Sequence, residues 1–131
     1  MQIPNSCLEV LNKADGKALA TYTEETGVNV VPVSSLLIKD SQIVLVNYFF
    51  NQTLKNIKIN PEVSLAAWKG LFGYQFKATA KYETTGPVYD EVVEWIKSTL
   101  PDRMVKGVVI LTPYKCFNVS AGPDAGREIF S

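Results

Sequence analysis

Residues 43–63 read IVLVNYFFNQTLKNIKINPEV. An apolar run from Ile43 to Phe50 breaks at Asn51-Gln52-Thr53, continues as the amphipathic LKNIKI and stops at Asn60-Pro61. A run that is apolar on both faces suits a strand in the middle of a closed sheet. The polar triplet then opens a short helix over about 52–59, and Pro61 ends it by driving Asn60 out of the α region. The stretch therefore delivers a buried strand to a helix N-terminus. Such a terminus presents unpaired N–H groups and the positive end of the macrodipole, and Thr53 adds a hydroxyl, a combination that suits a phosphate. A plain helix capped by Asn51 accounts for the same residues.

Upstream, Gln42 to Phe50 follows a turn at Lys39-Asp40-Ser41 and a strand over Val28 to Ile38. That strand forms a hairpin with Lys17 to Thr23 across the polar turn Glu24 to Gly27, so the three read as a meander. Pro32 stands inside the middle strand, where it donates no ladder hydrogen bond, so the strand is at an edge or bulged there. Val33, Ser34 and Ser35 then keep main-chain groups free, either on an ordinary edge or where a flat ligand approaches the backbone. At the N-terminus a helix capped by Ser6 runs to Lys13 and ends at Asp15-Gly16.

Downstream, Glu62 to Trp68 is a fourth strand. Tyr74 to Tyr82 alternates, with Tyr74, Phe76, Ala78, Ala80 and Tyr82 on a packed face and Gln75, Lys77, Thr79 and Lys81 on a wet one. Gly86-Pro87 starts a helix with the stripe Tyr89, Val92, Val93, Ile96 and Leu100, and Pro101-Asp102 ends it. Asp90, Glu91 and Glu94 lie on its solvated side. Met104 to Thr112 and Tyr114 to Ser120 make one strand bent at Pro113 or two short ones, and a loop closes the chain. Six to seven mostly antiparallel strands with short helices indicate a mainly β fold, a small β-barrel rather than a sandwich, because closure removes edges.

The chain has 131 residues, of which 47% are hydrophobic, enough for a single domain spanning 1–131 with a sizeable core. Thirteen basic and thirteen acidic residues cancel and are scattered, which argues against a nucleic-acid or anionic-membrane face. There is no histidine, so Ser/His and Cys/His triads are excluded and the commonest metal ligand is missing. Cys7 and Cys116 have no metal-site spacing and are expected as reduced thiols. With no signal-peptide pattern and no apolar run near the roughly 18 residues of a span, a soluble cytoplasmic protein is expected.

The segments VNVVPVSSL, VNYFFNQTLKNIKINPEVSLAAW, GYQFKATAKYETTGP and FNVSAGPDAGREI, in this order and spacing, resemble the pyridoxamine 5'-phosphate oxidase-like family of small FMN-binding split-barrel proteins. The resemblance implies a homodimer with one FMN in each of two grooves at the subunit interface. It places Val31, Pro32, Val33, Ser34 and Ser35 along the isoalloxazine, with backbone groups near Pro32, Val33 and Ser34 bonding the ring edge. It places Asn47, Asn51, Gln52 and Thr53 at the phosphate, with Gln75 and Lys77 close by. The C-terminal loop Ser120 to Arg127, with Gly122 and Pro123, is expected to reach the other subunit's flavin. Many relatives carry Lys or Arg where this chain has Gln52, so Lys55, Lys77 or a residue across the dimer must supply the charge. Ala78 also stands where glycine is frequent. The oxidase proper uses a C-terminal histidine and arginine on its substrate, and a chain without histidine is not expected to oxidise pyridoxamine phosphate.

The function implied is that of an FMN-binding flavoprotein, a small redox enzyme or electron carrier whose cofactor supplies the chemistry. A deazaflavin F420-binding reductase and a non-catalytic flavin-binding or sensor dimer are the alternatives. The redox partner and substrate are left open, and no metal is expected.

Overall fold

Pro32 decides how the sheet closes. In the computed structural model, which describes residues 2–130, β1 (Gly16–Thr23) pairs with β2 (Gly27–Pro32), and β3 (Leu36–Lys39) pairs with β4 (Gln42–Asn47). β5 (Glu62–Lys69), β6 (Phe72–Glu83) and β7 (Gly107–Asn118) complete the order β2-β1-β5-β6-β7-β4-β3, with β8 (Glu128–Phe130) on β7 and every pairing antiparallel. The two ends of that order are consecutive in the chain. Val33 donates its N–H to the Lys17 carbonyl at 2.9 Å, and the Ser35 carbonyl accepts from Val46 N–H at 3.1 Å. Residues 32–35 thus step from one edge strand to the other and close a barrel of six strands, in which β2 and β3 are halves of one bent strand.

The expected strand over Val28 to Ile38 is therefore broken: Pro32, opposite Ala18, has no N–H to offer on the side away from β1, Val33 makes the last bond to β1, and the chain then turns towards β4. The expected strand to Phe50 stops at Asn47, whose Oδ1 accepts the Phe50 N–H at 2.7 Å and turns the chain. β7 is one strand: Lys77 faces Lys115 while Ala78 faces Pro113, which leaves Tyr114 as the extra residue of a bulge. β8 follows the expected loop, which ends at Arg127, as a short strand the sequence reading does not assign.

Helix α1 (Asn5–Lys13) follows Pro4 without a side-chain cap, so Ser6 lies inside the helix rather than capping it. It sits at the start of β1 and sends Cys7, Val10 and Leu11 into the barrel core with Leu19, Leu45, Leu65, Phe76 and Leu111. Helix α2 (Gln52–Ile59) sits at the other end of β1 and adds Ile57. Helix α3 (Pro87–Thr99) covers the outside of β4 and β7, where Val92 and Ile96 pack on Val44, Val46, Val108 and Ile110. This second cluster is why β4 is apolar on both faces, and each such side chain contributes about 1.5–3 kcal/mol when fully buried. Among the described residues no helix is long and apolar enough to cross a membrane.

Candidate functional site

The strand switch is the irregular feature of the barrel. Ser34 is exposed, and its main-chain N–H and C=O make no hydrogen bond among the described residues. Its hydroxyl accepts from Arg103 Nη1 at 2.6 Å, and the neighbouring Ser35 hydroxyl accepts from the buried Tyr48 at 3.0 Å. Together with Phe49, Asp102, Met104 and Lys106, the residues Ser34, Tyr48 and Arg103 line a groove of about 570 Å³, within the range of small-ligand sites. The Arg103 guanidinium stands 5.0 Å from the Tyr48 ring centre and Lys106 Nζ 4.8 Å from that of Phe49. Behind the switch, Lys17 borders a second hollow with Ser34, Ser35 and Trp95, and burial lowers its pKa below the usual lysine value.

The start of α2 is organised inwards. Thr53 is fully buried, and its hydroxyl accepts from Asn29 Nδ2 at 3.0 Å. Gln52 Nε2 donates to Asn56 Oδ1 at 2.9 Å, Thr26 donates to the same oxygen, and Asn56 Nδ2 and Asn29 Nδ2 both donate to Thr21 Oγ1. This network ties α2 to the β1–β2 hairpin, and no buried side-chain polar atom among the described residues lacks a partner. Asn51 is exposed and makes no side-chain cap; its carbonyl accepts from Leu54 and Lys55. The N–H groups of Gln52 and Thr53 make no hydrogen bond among the described residues, so the first turn offers main-chain donors and not the Thr53 hydroxyl. Asn47 is spent on structure too: Oδ1 holds the Phe50 turn, and Nδ2 donates to Tyr82 Oη at 2.9 Å.

The remaining expected residues lie elsewhere in the chain. Val31 and Val33 point into the barrel core, whereas Pro32 is exposed. Pro32 faces Ala18, Ala18 faces Ala66, and Ala66 faces Gln75. Gln75 is thus three strand spacings, about 14 Å, from the switch on the same face. It donates to Ser64 at 2.9 Å, and Lys77 lines an outer-face hollow with Tyr22, Val28 and Tyr114. Lys55 is exposed on α2. Gly122 and Pro123 sit on an exposed loop at the β5–β6 hairpin, fastened by Ala121 N–H to the Leu71 carbonyl at 2.9 Å. The chain therefore unites Ser34 with the switch and Asn51 to Thr53 with α2, but sets Gln75, Lys77, Gly122 and Pro123 apart.

Sequence reading misses Tyr48, Phe49, Arg103, Met104 and Lys106 as groove residues. Tyr48 and Phe49 read as the end of a buried strand, yet Phe49 is 87% exposed. Arg103 follows the helix-ending Pro101-Asp102, and Met104 and Lys106 read as the start of a strand that begins only at Gly107. An aromatic pair just before the α2 triplet, beside a basic loop, is a weak signal that register alone turns into a site.

The pyridoxamine 5'-phosphate oxidase family model matches residues 3–121. The chain belongs to the pyridoxamine 5'-phosphate oxidase family. A family relative in Methanocaldococcus jannaschii, an uncharacterised protein, is 34% identical over 116 residues, covering 85% of this chain and 77% of that one. Among solved structures, HupZ of Group A Streptococcus superposes with a TM-score of 0.81 at 26% identity, covering 95% of this chain and all of that one. An FMN-binding protein from Syntrophomonas wolfei superposes at 0.71 with 18% identity, covering 89% of this chain and 90% of that chain. HutZ of Vibrio cholerae, a haem storage protein, does so at 0.70 with 15% identity, covering 90% and 95%. The last two share the family's split-barrel fold with this chain.

Proposed function

We propose that this protein is an FMN-binding flavoprotein, a small redox enzyme or electron carrier, that works as a homodimer with its cofactor at the subunit interface. The observation that carries the reading is the exposed strand switch, where Ser34 keeps a free main-chain donor and acceptor beside an aromatic groove. When bound, FMN supplies electron or hydride transfer. The residues present fit such a group: the backbone of Pro32 to Ser35 offers hydrogen bonds to a ring edge, Phe49 offers a flat apolar face, and the first-turn amides of α2 offer donors to a phosphate. The side chains of Asn47, Gln52 and Thr53 hold these elements in place from behind. Because the fold contributes no histidine, the chain's part is to bind, orient and shield the ring.

The dimer reading is supported by the outer face of β2, where Val28 is 80% and Val30 64% exposed. Beside them run the small residues Ala18, Ala20, Ser64 and Ala66, a flat face over which a second copy fits, and it would bring a partner's Gln75 and Lys77 towards the switch. The experiment is the visible spectrum of the purified protein together with its mass in solution. A yellow dimer is expected. Protein that is colourless and takes up no FMN on titration overturns the cofactor, and a monomer with bound flavin overturns the interface. Parallel titrations with F420 and haem show whether either displaces FMN as the preferred ligand.

A further inference from the structure

Helix α1 is joined to the barrel by a single polar contact. Among the described residues, nothing in Asn5–Lys13 makes an ion pair or a hydrogen bond to the strands, save that the Cys7 and Cys116 sulfurs lie 3.9 Å apart. The rest of its attachment is apolar, through Val10 and Leu11 in the core. Just beyond its C-terminal end the chain is tied down: Asp15 N–H donates to the Trp68 carbonyl at 2.8 Å, and Asp15 Oδ2 accepts from Gly70 N–H at 2.7 Å. The helix is thus anchored at Asp15 and fastened in its first turn by two thiols. Both sulfurs are fully buried, and no group of three or more metal-ligating side chains occurs among the described residues, so the pair has no third ligand with which to hold a metal.

Cys116 belongs to β7 and lies opposite Phe76 of β6, so its position is set by the interior of the sheet, whereas Cys7 rides on a helix that only apolar packing holds down. We propose that Cys7 and Cys116 form a redox site, closing to a disulfide that clasps α1 to β7 and reopening on reduction. The two sulfurs must come about 2 Å closer to reach the length of a disulfide bond. The oxidant is a small-molecule disulfide, met when α1 lifts in a local opening. The Cys7 thiolate attacks one sulfur of that molecule and expels its other half as a thiolate, which leaves a mixed disulfide on Cys7. As the helix settles, Cys116 gives its proton to water, attacks the Cys7 sulfur and expels the second thiolate. The two cysteines lose two electrons and two protons in all, and the small disulfide becomes two thiols. Because 109 positions separate the pair, the bond restricts most of the unfolded chain. It also fixes the α1 wall, Ser6, Glu9 and Val10, of a hollow of about 840 Å³ that faces Leu71 and Phe72.

The test equilibrates the whole protein, folded and in denaturant, with graded mixtures of reduced and oxidised glutathione, quenches with acid and reads the intact mass. Cys7 and Cys116 are the only cysteines, so a monomer lighter by two hydrogens can carry no other bridge. The folded protein is expected to keep this disulfide in mixtures about a hundred- to a thousandfold more reducing than the denatured chain tolerates. Amide hydrogen exchange in α1 is expected to slow about tenfold or more in the disulfide form. Folded protein that holds the bond no better than the denatured chain overturns the site, and so does oxidation that stops at a glutathione adduct or joins two molecules. A disulfide form in which α1 exchanges as fast as in the dithiol overturns the clasp. None of these outcomes depends on bound flavin, so the site stands or falls apart from the function proposed above.

Discussion

The Tyr82 hydroxyl receives Asn47 Nδ2 at 2.9 Å directly over Gly107, the residue opposite Asn47 in the β4–β7 ladder. A Cβ at position 107 would overlap the Tyr82 phenol, so any side chain here requires that ring to shift. Gly107→Ala is expected to lower stability by about 1–3 kcal/mol, the usual penalty of overpacking. Tyr82→Phe leaves the ring in place and deletes the bond to Asn47. Denaturant midpoints of the two variants check this, and a Gly107→Ala protein as stable as wild type would show that the Tyr82 ring moves aside freely.

Thr53→Val separates two roles of that hydroxyl. Because it is buried and accepts from Asn29, its loss leaves an amide hydrogen of Asn29 with fewer partners and is expected to cost about 1–3 kcal/mol. Affinity for FMN, measured by flavin fluorescence, is expected to change little. A large loss of affinity at unchanged stability would restore Thr53 to the phosphate.

The sulfurs of Cys7 and Cys116 lie 3.9 Å apart, both fully buried, although 109 residues separate them in the chain. The hydrogen bond from Cys116 lowers the Cys7 pKa, and the same contact with burial raises that of Cys116. Cys7 therefore gives up its proton first, and Cys116 keeps its own to bond the thiolate. A thiol reagent is expected to react only at the rate of unfolding, and Cys116→Ala is expected to shift Cys7 ionisation upwards. Rapid labelling of the folded protein would contradict the burial.

Tyr114 donates to the Glu62 carboxylate, and that bond, followed by desolvation, raises its pKa above 10.0. The folded pKa lies above the unfolded one, so the stabilisation is fully present below pH 10 and is lost as the pH rises through the folded value. Both groups are exposed, so the effect is small. The tyrosinate absorbance band of wild type should include one late-titrating component that Tyr114→Phe and Glu62→Gln abolish, and an unchanged titration in Glu62→Gln would remove the link.

Where sequence and structure agree, the reason is local chemistry. Pro61 ends α2 at Ile59 and Pro87 opens α3, because proline acts on its own backbone and its neighbour's. The double-faced apolarity of β4 was equally readable, since each face meets its own cluster. The bend at Pro32 was legible as an interruption, but that it joins two edges of one sheet depends on pairing with Lys17 and Val46, partners the stretch does not name. The groove was less legible still. Arg103 meets Ser34 across 69 residues, and no periodicity marks a contact at that range. Thr53 looked like a surface donor because a helix N-terminus usually faces solvent; here Asn29, Asn56 and Thr21 draw the first turn into the barrel mouth.

The closing seam also orders the assembly of the molecule in time. The hairpins β1–β2, β3–β4 and β5–β6 join neighbours in sequence and form at the microsecond pace of local pairs. The ring needs in addition Ala20 against Ser64 and Val46 against Val108, contacts that must first overcome the entropy of long loops. Residues 32–35 are bound on each side to a hairpin that is ready early, yet they sit correctly only once the distant pairs have met. The geometry around Ser34 is therefore a late product of folding, and a molecule acquires it only when its barrel is whole.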